Sequence, residues 1–211
     1  YLDVHMLLPL LSFAEEQKVY DPEDMKRAKL DVLDKTNMVD YAMTVVGSAA
    51  PPEYAARRQA VLDTLASLKE SAGPMIALAG NAEALEKAKA EMAGGNGEEH
   101  LASLGVTPEV LDAFFSYGKF QYECGNYTEA AKLLSAYRDF DATSFDALWG
   151  RLAAQILSMQ WDQAGVAAAM KDVMEIKRVL DSRDTDGNHN PLEQLQFRAW
   201  LLHWSLFVMF N

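Results

Sequence analysis

The sequence predicts an all-α chain built from stacked helical hairpins, and three observations lead there. Apolar residues recur at i, i+3 and i+4 from end to end, whereas alternating runs rich in Val, Ile and Thr are nearly absent. Several helix starts are marked by capping residues and prolines. An aromatic and a small residue recur at a fixed offset in the second half.

Taken in order, Asn37 is placed to cap a short helix carrying Met38, Tyr41, Ala42 and Val45, with Asp40 near its positive end. Pro51-Pro52 opens the next helix, whose stripe of Tyr54, Val61, Leu65 and Leu68 closes near Gly73-Pro74. Ala82–Ala93 is a good helix former with an Ala-rich, charged surface. Gly94-Gly95-Asn96-Gly97 follows and reads as a flexible linker. It divides the chain into an N-terminal helical region, 1–97, and a repeat region, 98–211. Thr107-Pro108-Glu109 puts a hydroxyl at the cap and Pro at the first helical position. Leu111, Phe114, Phe115, Gly118 and Tyr122 then share one face. Ser182–Asn190 is a second polar break, and Asn190-Pro191-Leu192-Glu193 has a capping-box arrangement.

The repeat is the most informative feature. Gly125-Asn126-Tyr127-Thr128-Glu129-Ala130 aligns with Met159-Gln160-Trp161-Asp162-Gln163-Ala164. Tyr127 and Trp161, like Ala130 and Ala164, lie 34 residues apart, the tetratricopeptide period. In such a repeat Gly ends the first helix, the aromatic wedges between helices, and Ala lets the second helix approach. The second copy lacks the Gly, so the repeat is degenerate. One hairpin cannot bury its own apolar face, so neighbours must stack. Each aromatic wedge would bury about 150–250 Å², worth up to about 4–6 kcal/mol. The residues expected to carry repeat packing are Tyr122, Gly125, Tyr127, Ala130, Trp149, Trp161 and Ala164.

Composition narrows the function. The 211 residues carry 31 acidic and 19 basic side chains, a net charge of -12. Such a surface repels a phosphate backbone, so direct nucleic-acid binding is disfavoured and basic protein partners fit better. Cys124 is the single cysteine, which leaves no internal disulfide framework and fits a reducing compartment. No secretory signal is visible at the start. The apolar run Trp200–Phe210 contains His203 and Ser205 and falls short of the roughly 20 residues that span a bilayer. It reads as a buried helix, and no membrane is expected. Position 1 is not Met and the last residues sit in an apolar run, so a longer protein is expected.

Catalytic and ligand signatures fail one by one. Gly94–Gly97 has no following Lys-Ser/Thr, as a phosphate loop would need. Asp184-Thr185-Asp186-Gly187-Asn188 offers alternate oxygen donors, but His189 and Leu195 stand where an EF-hand needs Gly and Glu. It reads as a solvated turn. His5, His100, His189 and His203 are far apart, and neither Cys-x-x-Cys nor His-Glu-x-x-His spacing occurs. Cys124 reads as an end-of-helix core thiol, His203 as a hydrogen-bonded core histidine, and Glu15-Glu16 and Glu98-Glu99 as solvated charge. Asn126-Tyr127-Thr128 fits a glycosylation pattern, but its aromatic must be buried. The expectation is no enzyme, no catalytic residue, no cofactor and no metal.

Several longer segments carry a resemblance. Asp34–Met43, Lys119–Tyr127, Leu148–Ala153, Trp161-Asp162, Trp200–Val208 and the opening His5–Phe13 are similar, in order, to the e-subunit family of eukaryotic translation initiation factor 3. Between Ala72 and Gly105 there is little likeness. The resemblance implies a right-handed superhelical stack of tetratricopeptide-like, PCI-type hairpins leading toward a PCI module that this chain lacks. It also implies a scaffold subunit that docks other subunits of that factor and supports recruitment of the small ribosomal subunit and messenger RNA. Contact with the scaffold factor of cap recognition is implied too, as is a cytoplasmic location with a nuclear pool. No catalytic or cofactor residue is implied, and no partner contact is assigned to a residue.

Two other readings stand beside it. A PCI-type subunit of the proteasome lid or signalosome would share the architecture but not the wording of Phe120–Tyr127 and Trp200–Val208. A free-standing adaptor gripping a peptide carboxylate needs several cations on its groove helices. The Leu111–Tyr122 helix offers only Lys119, among Phe114, Phe115 and Tyr117.

Overall fold

The computed structural model describes residues 21–24, 27–28, 37–40, 52–141, 144–158 and 163–185. Side chains of 163–166, 168 and 183–185 are excepted. Outside the described residues lie the opening segment His5–Phe13, Trp161, the Asn190–Glu193 cap and the Trp200–Phe210 run. So do most of the acidic turn after Thr185 and the helix expected through Tyr41 and Val45.

The described residues are helical, with no strand among them. Eight longer helices are α1 (Pro52–Ser71), α2 (Gly73–Ala79), α3 (Ala82–Ala93), α4 (Gly97–Ser103), α5 (Pro108–Glu123), α6 (Tyr127–Arg138), α7 (Phe145–Ser158) and α8 (Gln163–Thr185). The expected stripe on α1 is half-buried throughout, and Leu65 and Leu68 pack on the core. Just past α1 the chain turns at the fully buried Ala72, and Pro74 opens α2, where its missing N–H costs nothing. The Asn81 side chain caps α3 by accepting from Ala84 N at 3.1 Å. Thr107 caps α5, accepting from Val110 N with Pro108 next in line, as the sequence predicts.

The glycine cluster differs from the expected flexible linker. Gly94, Gly95 and Asn96 donate back to Ala90, Met92 and Glu91 carbonyls, a tight helix-ending turn with Gly95 at φ 87°. Gly97 is buried in the first turn of α4, and a β-carbon there would lie 2.5 Å from Met92 Cγ. Glycine is present for a left-handed turn and a close contact, not for chain freedom. One apolar cluster draws on both sides of this turn, with Met75, Leu78 and Ala88 joined to Leu101, Phe114, Tyr117 and Leu133. An ion pair from Lys89 to Asp139 at 2.7 Å also crosses it.

Consecutive helices α5, α6 and α7 run antiparallel. Residues at matching distances from each connection meet: Tyr122 meets Tyr127 and Gly118 faces Leu133, while Ala130 clusters with Ala153 and Leu134 faces Gly150. A second apolar cluster lies between α7 and α8, with Leu148, Leu152 and Ile156 against Ala169, Val173, Ile176 and Leu180. Trp149 belongs here, stacked on Phe145 at 5.7 Å between ring centroids.

Candidate functional site

Of the residues expected to carry repeat packing, four converge on the α5–α6 hairpin. Helix α5 ends at Cys124, and Gly125 takes φ 84°, a conformation an L side chain resists. Gly125 N donates to Tyr122 O and Asn126 N to Gln121 O, satisfying carbonyls that the helix end would leave unpaired. The turn brings Tyr127 back onto Tyr122, with ring centroids 5.5 Å apart and planes tilted by 59°. Ala130 is fully buried and clusters with Tyr122 and with Ala153 and Ala154 of α7. Trp149 is buried in the separate α7–α8 cluster. Ala164 lies on α8 with its side chain outside the described residues, and Trp161 lies outside them altogether.

Burial raises the Tyr122 and Tyr127 hydroxyls well above the ordinary phenol range, and repulsion between the two phenolate charges adds to the effect on Tyr122. The Cys124 thiol is half-buried at the end of α5. Burial, then the charges of Glu123 and Asp40, push its pKa up to about 12. That keeps it a thiol at neutral pH, where a nucleophile would need to be a thiolate.

Two features around this hairpin have no counterpart among the sequence expectations. Leu134 is 1% exposed and wedges between two helical glycines. A β-carbon on Gly118 would meet its side chain at 3.2 Å, and one on Gly150 at 3.0 Å. A glycine inside a helix costs about 1 kcal/mol against Ala, and two of them 32 residues apart are the signal that could have disclosed the contact. The second feature is a short N-terminal segment laid over the hairpin turn. Asn37 Nδ2 donates to Glu123 Oε2 at 3.3 Å, and the Tyr127 hydroxyl donates to Met38 Sδ at 3.8 Å. Met38 and Val39 are buried, and Asp40 pairs with Arg58 of α1. No local pattern announces a contact 86 or 89 residues away.

Charged groups hold α8 in place. Arg151 of α7 pairs with Asp172, and Arg138 of α6 pairs with Glu175. Burial holds the Asp172 carboxyl above its ordinary range, against the opposing pull of Arg151 and Arg138. Four atoms of this seam, Arg138 Nε, Arg151 Nε, Gln155 Oε1 and Asp172 Oδ2, are buried without a hydrogen-bond partner. The network positions α8 at an electrostatic cost.

The concavity beside the hairpin turn is open and shallow, lined by Gln121, Asn126, Tyr127, Glu129, Leu157 and Ser158. Among the described residues no group of three or more His, Cys, Asp or Glu is arranged to hold a metal ion. No helix among them is long and apolar enough to cross a membrane. Among the described residues the arrangement offers surfaces for packing.

Comparison with known proteins agrees with this geometry. Residues 1–121 match the family model described as the eIF3 subunit 6 N terminal domain. Across its whole length the chain is 36% identical to 47% of the E subunit of eukaryotic translation initiation factor 3 from Arabidopsis thaliana. It is 37% identical to 49% of the E subunit from Pyricularia oryzae, and 32% identical to 49% of that from Bombyx mori. The chain thus spans about half the length of these curated relatives. The interlocked helical hairpins, joined to these matches, lead to one conclusion: the chain belongs to the E-subunit family of eukaryotic translation initiation factor 3, through its N-terminal helical domain.

Proposed function

We propose that this chain is the helical arm of a non-catalytic scaffold subunit of translation initiation factor 3. In this reading it docks neighbouring subunits and supports recruitment of the small ribosomal subunit and messenger RNA. The observation that carries it is the interlock of α5, α6 and α7, in which Tyr122, Ala130 and Leu134 fill the seams between hairpins. Among the described residues, the side chains of this interlock are spent on packing against one another, and the helices present their other faces outward. The name these relatives share supports the choice of complex.

The same reading takes the hairpins as a right-handed superhelical stack, with the repeat region, 98–211, leading toward a PCI module. Tyr122, Gly125, Tyr127, Ala130, Trp149, Trp161 and Ala164 are its packing residues. Its partners are other factor subunits, the small ribosomal subunit and the scaffold factor of cap recognition. The setting is the cytoplasm with a nuclear pool, and no direct grip on nucleic acid is needed at a net charge of -12.

Affinity purification of the full-length protein tests this. Initiation-factor subunits and small ribosomal proteins should co-purify. Recovery of proteasome-lid or signalosome subunits alone would overturn the assignment in favour of the related PCI scaffolds.

A further inference from the structure

We infer that the two ion pairs of the α8 seam form a register lock, holding α8 at one position along α6 and α7 that its apolar packing alone leaves open. The buried stripe of α8 is Ala169, Val173, Ile176 and Leu180, set against Leu148, Leu152 and Ile156 of α7. Its members recur at intervals of three or four residues, so a slip of one turn lays the stripe back on itself. Apolar contact therefore separates neighbouring registers weakly.

Charge separates them sharply. Arg151 of α7 meets Asp172, and Arg138 of α6 meets Glu175, with all four side chains between 9% and 23% exposed. A charge left unpaired at such burial is strongly destabilising. The residues around the two carboxylates offer no second solution. A four-residue slip brings Ile176 to Arg151 and Val179 to Arg138 or, in the other direction, Lys171 to Arg138. A three-residue slip brings Arg178 to Arg138 or, in the other direction, Ala169 to Arg151. Each leaves at least one arginine without a carboxylate, and two of them set like charges together. Neighbouring groups do not stand in. Asp139, next to Arg138, is paired with Lys89 at 2.7 Å. Arg178 reaches Glu175 at 3.7 Å along α8 itself, so that contact travels with the helix in every register. Buried pairs add little net stability, because both ions give up their water, and selecting one arrangement among several is a use that remains.

The test reads register as a distance in the full-length protein. Nitroxide labels are attached to p-acetylphenylalanine at the exposed positions 158 and 181, and pulsed electron resonance measures their separation. Position 158 ends α7 just ahead of α8, and 181 lies in the last turns of α8, so a slip of three or four residues changes the separation by about 5 Å. The unsubstituted seam and the conservative Arg151→Lys variant should each give one narrow distance. Arg151→Met frees Asp172 to reach Arg138 while Glu175 keeps Arg178, which moves α8 toward its own C-terminal end. A second distance about 5 Å longer should appear. The apolar Arg138→Met/Arg151→Met/Asp172→Leu/Glu175→Leu variant should melt cooperatively and give a distribution wider by about 5 Å or more. It carries the test by itself where Arg151→Met does not fold. An unchanged single distance in either folded variant would overturn the lock, as would a shorter second distance in Arg151→Met. Loss of cooperative melting by the apolar variant would overturn it too, because the pairs would then hold the fold rather than its register.

Discussion

The Met38 methyl lies 2.9 Å from the point that a β-carbon on Gly125 would occupy. The hairpin turn is therefore closed from two directions, by its own left-handed backbone and by a segment far away in sequence. Gly125→Ala should cost about 1–2 kcal/mol for the backbone conformation, with a further steric loss from displacing Met38. In a Met38→Ala background the same substitution should cost only the backbone part. Urea melts of the four proteins in this cycle measure the difference, and equal losses in both backgrounds would refute the contact.

Leu134 and Gly150 give a prediction that changes sign. Gly150→Ala gains about 1 kcal/mol of helix propensity but pushes on Leu134 Cδ1 at 3.0 Å, and overpacking costs about 1–3 kcal/mol. The substitution should destabilise the native chain and stabilise the Leu134→Ala variant, which is itself about 2–5 kcal/mol weaker. Thermal denaturation of the single and double variants reads the reversal.

The Arg151–Asp172 pair should behave as a buried ion pair that is costly to break and easy to replace. Arg151→Met alone leaves a buried carboxylate unpaired and should lose about 3 kcal/mol. Arg151→Met/Asp172→Leu should recover most of that loss, because the seam already holds polar atoms without partners. A double variant no better than the single one would show that the pair contributes net stability.

Alkaline pH should loosen the α5–α6 hairpin. Tyr122, Tyr127 and Cys124 all have acid constants raised by burial, so the folded chain keeps protons that the unfolded chain releases. Their contribution is complete below the unfolded values, near pH 8.5 for the thiol and about 10 for the phenols. It falls as pH rises toward the folded values, by about 1.4 kcal/mol per pH unit for each buried phenol in its window and by less for the half-exposed, solvent-screened thiol. Stability measured by urea at pH 8, 9, 10 and 11 should decline, and Tyr122→Phe/Tyr127→Phe should flatten the decline above pH 10.

How much of this is legible depends on distance along the chain. The Thr107 cap is a short-range pattern and appears where the sequence predicts it, and the left-handed Gly125 turn and the burial of Ala130 are equally local features. The Gly94–Gly97 segment misleads because a flexible linker and a left-handed turn use the same residue. The backbone hydrogen bonds of the turn, Gly95 at φ 87° and the lack of room for a β-carbon at Gly97 beside Met92 separate them. The Leu134 wedge is half-visible through its two helical glycines. Arg151 with Asp172 depends on how two helices cross, and Met38 with Tyr127 on where a remote segment lands. Neither leaves a periodic trace.

The docking of residues 37–40 also bears on synthesis. At about 5–20 residues per second, the 89 positions from Met38 to Tyr127 take on the order of 5–20 s to translate. Until then Met38 and Val39 have no hairpin to cover, so a nascent chain carries two uncovered apolar residues ahead of its main body. Chaperone occupancy at the ribosome exit should therefore persist until α6 has emerged, and then drop.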